Sequence, residues 1–213
     1  MRLNKIPVFC AMAALLAISC ATAPPPVVVD TAPKPETEMA KATERRAYVK
    51  DNGLEAYAPD SFKKAEDNYT AAGKVYGTDN AKAKELLDLA LPLYEQTVTD
   101  GFTKKVAEKK AVADSSKSKA DEQKAKVAAK DSYAAAEAAY AKAVADAAAG
   151  QYASSVASYQ EAAKKYEEAA SIAAAARTQA QTALDSANAS IQSTADRLKA
   201  IDTEMAAGQG GTP

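Results

Sequence analysis

The sequence contains no histidine and no tryptophan, and only 6% of its 213 residues are aromatic. Without histidine, the chain lacks the commonest general base and the commonest zinc ligand. No serine lies in a nucleophile-elbow pattern, and Gly77 and Gly150 are single turn glycines rather than parts of a phosphate-binding loop. We therefore predict that the protein is not an enzyme and binds no cofactor or metal.

An excess of either charge is also missing, since 27 lysines and arginines oppose 28 aspartates and glutamates. No overall field attracts nucleic acid, which we exclude as a partner. One basic run is interleaved with Glu108, and we interpret it as a solvated helix face made of Lys104, Lys105, Lys109 and Lys110.

Alanine supplies much of the hydrophobic fraction, which is 47% of the chain. Small side chains bury little area each, so the core must be long and shallow. This composition favours helical hairpins over a thick globule.

Cysteine occurs only at Cys10 and Cys20, near the start of the sequence. Residues 1–19 combine a basic start, a short apolar run and a small residue, which is typical of a secretory signal and too short to span a bilayer. Residues 17–20, Ala-Ile-Ser-Cys, resemble a bacterial lipobox, with Ala17 in place of the usual leucine, as in spirochaete-type lipoproteins. The resemblance implies cleavage before Cys20 and a lipid on its sulfur. The alternative is an ordinary signal peptide in which Cys20 occurs by chance.

Residues 20–37 are predicted to form the acylated cysteine and a tether to the domain. Five prolines prevent helix formation here and favour an extended chain: Pro24, Pro25, Pro26, Pro33 and Pro35. A short strand formed by residues 27–29 on a partner is the alternative. We expect a helical domain over residues 38–206 and a flexible tail over residues 207–213.

A helical hairpin is predicted over residues 131–176. One helix face should carry Tyr133, Tyr140, Val144 and Ala147. Gly150 interrupts the pattern, which then resumes with Tyr152, Val156, Tyr159, Ala163, Tyr166 and Ala170. Because glycine is a poor helix former and a good terminator, we predict two helices joined by a tight turn, with tyrosine rings packed over alanines.

The hairpin pattern occurs twice. Residues 60–62 match residues 131–133, and the later matches are Glu66 with Glu137, Tyr69 with Tyr140, Tyr94 with Tyr166, and Glu95 with Glu167. The offset grows by one residue after the turn, so we predict a duplicated helix-turn-helix unit, with repeat 1 over about 41–112 and repeat 2 over about 115–182. Similarity by composition alone is the alternative. We expect the four glutamates on solvated faces or paired with lysines.

Helix boundaries follow from local signals. We predict five helices. The first two cover residues 38–52 and 59–76, the third begins near residue 80, the fourth ends near residue 149, and the fifth covers residues 151–206. Pro59 suits a first turn, Asp79 suits a cap, and Pro92 should kink the third helix. Gly101 and residues 114–116 could each break that helix, or a single helix could run through both.

The end of the last helix, residues 183–206, has a heptad pattern. Its apolar positions are Leu184, Ala187, Ile191, Thr194, Leu198, Ile201 and Met205. We expect this seam to pack on the leucine-rich third helix of the same chain, which would give a monomeric domain. An oligomer or a partner helix is the alternative.

Two resemblances follow from these residues. The pattern Ala-x-Gly-Gln-Tyr-Ala-x-x-Val-x-x-Tyr-x-x-Ala over residues 148–162 resembles the turn and second helix of a tetratricopeptide-type repeat, without its Trp-Leu-Gly signature. The two-copy arrangement over residues 41–182, opened by Tyr57-Ala58-Pro59, is similar to an alanine-rich bacterial lipoprotein family of the DUF4398 type, which includes treponemal membrane lipoproteins. The second copy has Ala128-Ala129-Lys130 at the opening position. The resemblance implies an envelope location and no established activity.

We therefore expect an all-α protein of elongated antiparallel helical hairpins, held on a bacterial membrane through Cys20, facing the periplasm or on the outer membrane. It would act as a non-enzymatic scaffold or docking surface for an envelope protein or the cell wall. The alternative is a solute-binding accessory component of an envelope transport system. Converging tyrosines in a pocket between hairpins would favour the alternative, and a closed alanine–tyrosine seam would favour the scaffold.

Overall fold

The computed structural model describes residues 31–208, and this part of the chain contains helices and no strands. The helices are α1 (Glu36–Asp51), α2 (Pro59–Val75), α3 (Asn80–Glu122), α4 (Ala125–Ala128), α5 (Lys130–Ala148) and α6 (Tyr152–Gly208), with a 3-10 turn at Leu54–Ala56. The predicted all-α class is confirmed. The predicted signal, Cys20, most of the tether and most of the flexible tail lie outside the described residues.

Local signals set the helix ends. Pro59 begins α2, where its missing N–H costs nothing. Asp79 caps α3, because its side chain accepts a hydrogen bond of 2.9 Å from the backbone N–H of Lys82. Gly77 and Gly150 adopt positive φ angles of 85° and 72° in the turns between paired helices. These predicted signals are therefore confirmed.

Helix α3 runs unbroken through Gly101 and residues 114–116, which decides between the two predicted alternatives. At Gly101, a Cβ atom would lie 2.9 Å from Leu54 Cβ. The glycine therefore lets the 3-10 turn pack directly on the α3 backbone, and it is not a helix end.

Two three-helix units share α3. The first unit is α1, α2 and the first half of α3; its core contains Ala42, Val49, Leu54, Ala65, Ala72, Leu87, Ala90, Tyr94 and Phe102. The second unit is the second half of α3, α5 and the first half of α6; its core includes Ala113, Ala120, Tyr133, Ala136, Ala143, Tyr159, Ala162, Tyr166 and Ala173. In both units the second and third helices run antiparallel. Residues 61 and 62 contact residues 97 and 94 in the first unit, and residues 133 and 140 contact residues 166 and 159 in the second.

The connection from the first to the second helix has the same backbone path in both units. Gly53 and Lys124 both adopt left-handed conformations, with φ angles of 58° and 60°. The next residues, Leu54 and Ala125, are both fully buried, and Ala58 and Ala129 precede the hairpin helices with nearly the same backbone angles. Lys124 is thus a non-glycine residue in a region that L-residues seldom adopt.

The hairpin faces differ from the prediction at two positions. Val144 is exposed, because the buried stripe of α5 runs through Tyr133, Ala136 and Ala143, and the next residue along the helix turns away from it. Tyr152 is also partly exposed and stacks on Phe102 of the first unit, with ring centroids 5.8 Å apart. Tyr152 therefore joins the two units and does not belong to the core of its own hairpin.

The heptad seam does not pack on α3, so that prediction is wrong. The apolar side chains of Leu184, Ile191, Leu198, Ile201 and Met205 are 50–68% exposed. The physical reason is that the leucines of α3 already pack in the first unit, with Leu87 in its core and Leu86, Leu91 and Leu93 against it. The monomeric state expected from that packing loses its basis and stays untested.

Candidate functional site

Each unit has a cluster in which one carboxylate ties three helices together. In the first cluster, Arg46 Nε on α1 donates to Glu66 Oε1 on α2 at 2.7 Å, and Arg46 Nη2 donates to Glu66 Oε2 at 2.9 Å. The hydroxyl of Tyr94 on α3 donates to Glu66 Oε1 at 2.5 Å. This bidentate, charge-assisted arrangement is the strong form of an ion pair.

The second cluster repeats this arrangement with a lysine. Lys117 Nζ on α3 donates to Glu137 Oε1 on α5 at 2.6 Å, and the hydroxyl of Tyr166 on α6 donates to the same oxygen at 2.5 Å. Lys117 also donates to the hydroxyl oxygen of Tyr133, which in turn donates to Asp121 Oδ1 at 2.6 Å. The two clusters are therefore equivalent in position, and both bond a glutamate to a basic residue and to a tyrosine hydroxyl. The bonds through Tyr133 have no counterpart in the first cluster, where Phe62 occupies that position.

The contacts within the clusters shift the pKa values of their glutamates and tyrosines. Burial raises the pKa of Glu66, but hydrogen bonds from Arg46 and Tyr94 outweigh it and hold that pKa below its ordinary value. Hydrogen bonds from Lys117 and Tyr166 likewise lower the pKa of Glu137. Burial, followed by the hydrogen bond to the glutamate, raises the pKa of both Tyr94 and Tyr166. Neutral tyrosines and ionised glutamates at neutral pH suit a structural tie better than proton transfer.

The other two repeated glutamates are also paired. Arg45 Nε lies 2.6 Å from Glu95 Oε1, and Ser116 Oγ donates to Glu167 Oε1 at 3.1 Å. Lysine partners, one of the two expectations, occur at Glu137 and at Glu66, whose Oε2 lies 3.9 Å from Lys50 Nζ. Glu95 and Glu167 are exposed, which fits the other expectation of solvated faces. The other partners are arginines in the first unit and a serine in the second.

The basic run on α3 divides into two kinds of lysine. Lys104 Nζ donates to the carbonyl of Tyr57 at 2.9 Å, and Lys105 Nζ donates to the carbonyl of Asn52 at 2.5 Å. These carbonyls end the 3-10 turn and α1, where a positive charge is favourable. Lys104 is exposed, as predicted for a solvated face, whereas Lys105 is partly buried, so the prediction is wrong for Lys105. Lys109 and Lys110 instead pair with acidic residues of α3.

The alanine–tyrosine seam of the second unit is closed. The rings of Tyr133 and Tyr166 meet edge to face at 5.4 Å, and those of Tyr140 and Tyr159 meet at 5.2 Å. The hydroxyl of Tyr140 donates to Asp114 Oδ1 at 2.7 Å. Three of these four hydroxyls thus donate hydrogen bonds to acidic side chains.

An open cleft lies beside the second cluster, where α4 meets α5. It has a volume of about 340 Å³, and its lining residues are Lys117, Lys126, Lys130, Tyr133, Ala134 and Glu137. Three lysines face one glutamate there, so the cleft carries a local surplus of positive charge.

The second half of α6 extends past the packed units with its apolar residues uncovered. We call Leu184, Ala187, Ile191, Thr194, Leu198, Ile201 and Met205 the α6 stripe. The last contact with the second unit is a hydrogen bond of 2.7 Å from Arg177 Nη2 to Gln123 Oε1, at the end of α3. Beyond Arg177 every side chain through residue 207 is exposed.

Within residues 31–208, no group of acidic or cysteine side chains is arranged to hold a metal ion. No helix in this same part of the chain is both long and apolar enough to cross a membrane. The predicted lipidation site, Cys20, lies outside the described residues.

Comparison of the chain with models of known families, with curated proteins and with solved structures found no match. The similarity to the alanine-rich lipoprotein family and to tetratricopeptide-type repeats therefore stays a prediction from the sequence.

Proposed function

We propose that the protein is a lipid-anchored, non-enzymatic scaffold of the bacterial cell envelope. In this proposal, acyl chains on Cys20 hold the protein on the membrane, and the proline-rich segment separates the membrane from the helical domain. The domain then presents the α6 stripe as an assembly surface. The observation that carries the proposal is this uncovered stripe of large apolar side chains, in a chain whose packed units are built mainly from alanine.

The interior of the two units supports a structural role. Their carboxylates and tyrosine hydroxyls form hydrogen bonds to one another across helices. The ionisable groups of the two clusters therefore already have partners within the protein. A body with satisfied polar groups and a projecting apolar helix suits assembly better than catalysis.

The anchor is tested with Cys20→Ser, with Cys10→Ser as the matched control. Cells are labelled with a radioactive fatty acid and then separated into membrane and soluble fractions. We expect label and membrane association in the wild type and in Cys10→Ser, and neither in Cys20→Ser, because only Cys20 supplies the acylated sulfur. A wild type without label would refute the anchor.

A second candidate function, solute binding in an envelope transport system, is favoured by the cleft beside Lys126 and Lys130. Its surplus of lysines suits a small anion. Titration with inorganic phosphate should then show saturable binding that the double variant Lys126→Ala, Lys130→Ala loses. Equal responses of the wild type and the variant would remove this candidate.

A further inference from the structure

The α6 stripe continues a helix face that is already used for packing. Tyr159, Tyr166 and Ala173, seven residues apart, are buried in the second unit. The same spacing continues through Ala180, Ala187, Thr194 and Ile201, and a parallel series runs through Leu184, Ile191, Leu198 and Met205. Because the heptad phase does not change at Arg177, the exposed stripe is the extension of an existing helix–helix interface.

We propose that this stripe is covered by the same stripe of a second copy of the chain, running antiparallel to the first. The inference deepens the proposed scaffold by naming its partner. It rests on the stripe being an assembly surface and does not depend on the anchor at Cys20.

Steric exclusion decides the orientation. In each copy, α3 and α5 lie against the α6 face that carries the stripe, up to Arg177. In a parallel pair, both sets of helices would have to fit between two α6 helices only about 8–10 Å apart. In an antiparallel pair, each packed body lies beyond the free end of the other helix, so no overlap arises.

The side chains of the stripe are complementary in one antiparallel register. When the pair is centred between Ile191 and Thr194, Ile191 of each copy faces Thr194 of the other copy across the interface. Leu198 then faces Ala187, and Leu184 faces Ile201 of the second copy. Three layers of the interface, including Met205 against Ala180, thus place a larger side chain opposite a smaller one, which fills an interface evenly. A parallel pair would instead place Ala187 opposite Ala187 and Thr194 opposite Thr194, and these layers of small side chains would leave gaps.

The length of the free helix and the flanking charges fit the same register. Arg177 of one copy comes opposite residue 208 of the other, so the packed body of one copy lies beyond the described part of the other copy's helix. Arg197 then lies near Ser190, and Asp202 lies near Gln181, of the second copy. No like charges face each other across the pair, which is what a stable antiparallel coiled coil requires.

Analytical ultracentrifugation of the mature chain carrying Cys20→Ser tests the association. This background removes the acyl chains, so the result is independent of the anchor. We expect a dimer, and we expect Ile191→Asp to give a folded monomer, because it would place a charge in the interface. Ser193→Asp, which adds the same charge on the outer face of α6, should remain dimeric. A wild type that is monomeric up to millimolar concentration, or a dimer that Ile191→Asp leaves intact, would overturn the proposal.

Disulfide trapping tests the orientation in the same background, in a chain that begins at residue 20 and therefore has no other cysteine. A mixture of Leu184→Cys and Ile201→Cys chains should form mixed disulfide dimers, since these positions face each other in the antiparallel register. Each variant alone should trap far less. Efficient trapping by Leu184→Cys alone and by Ile201→Cys alone would indicate a parallel pair and contradict the proposal.

Discussion

At the scale of residues, Glu66 and Glu137 each join the three helices of their unit through a single side chain. Each carboxylate lies on the second helix, accepts hydrogen bonds from a basic residue on the first, and accepts another from a tyrosine on the third. Because the tyrosine rings are fully buried while the carboxylates reach the edge of the core, each cluster extends from the interior to the surface.

The lowered pKa values of these glutamates predict a loss of stability in acid. A carboxylate whose pKa is lower when folded than when unfolded contributes its full stabilisation above the unfolded value of about 4.3. That contribution is lost as the pH falls through the lower, folded value. Glu66→Gln should cost roughly 1–3 kcal/mol at neutral pH, because it replaces charge-assisted hydrogen bonds.

Urea unfolding at a series of pH values between 7 and 3 measures this effect. Glu66→Gln should lose less stability than the wild type as the pH falls, whereas the exposed substitution Glu161→Gln should follow the wild type. Parallel curves for Glu66→Gln and the wild type would show that the first cluster does not cause the acid sensitivity.

The sequence predicted the glutamates and tyrosines of the clusters but missed their bases. Glu66, Glu137, Tyr94 and Tyr166 were found because the same residue type recurs at a fixed offset. Arg46 and Lys117 are separated by the same offset as Glu66 and Glu137, but they are different residue types. Each also lies 20 residues from its glutamate in the sequence. Matching charge as well as residue type at the offset would have found both.

At the scale of elements, helix ends could be predicted and contacts between distant elements could not. Proline, aspartate and glycine determine the ends of α2, α3 and α5 locally, so their sequence signals were sufficient. Lys104 and Lys105 cap carbonyls about 50 residues earlier in the chain, and no local pattern contains that information. The α6 stripe was predicted from its heptads. Whether α3 covers it depends on where α3 ends, and the heptad pattern does not contain that information.

Two glycines inside helices predict opposite effects of the same substitution. Gly101→Ala should lower stability, because its Cβ would lie too close to Leu54, and overpacking costs about 1–3 kcal/mol. Gly73→Ala meets no atom within 4 Å, so it should raise stability by up to about 1 kcal/mol through helix propensity. Thermal unfolding of both variants measures the difference. A stabilised Gly101→Ala would mean that the 3-10 turn shifts freely away from α3.

At the scale of the whole molecule, the second half of α3 opens the second unit as α1 opens the first. The second half of α6 occupies the corresponding place after the second unit, but the hairpin that would complete a third unit does not follow among residues 31–208. Within residues 31–208, this half of α6 therefore has no covering hairpin, and its apolar side chains are exposed.

This architecture predicts that the two units do not need the free half of α6 to fold. Ending the chain after Arg177 should leave the melting temperature of the units within a few degrees of that of the monomeric Ile191→Asp variant, because the removed side chains are exposed. The helical signal in circular dichroism should fall in proportion to the residues removed. A large drop in melting temperature would show that the free segment packs on the units in solution.

The unbroken path of α3 has a mechanical consequence. One helix of 43 residues, about 65 Å long, forms part of both cores, so the units cannot rotate against each other without breaking its backbone hydrogen bonds. Force applied to one unit is therefore transmitted along a stiff strut and is not absorbed by a hinge. The two units would therefore keep a constant separation under load.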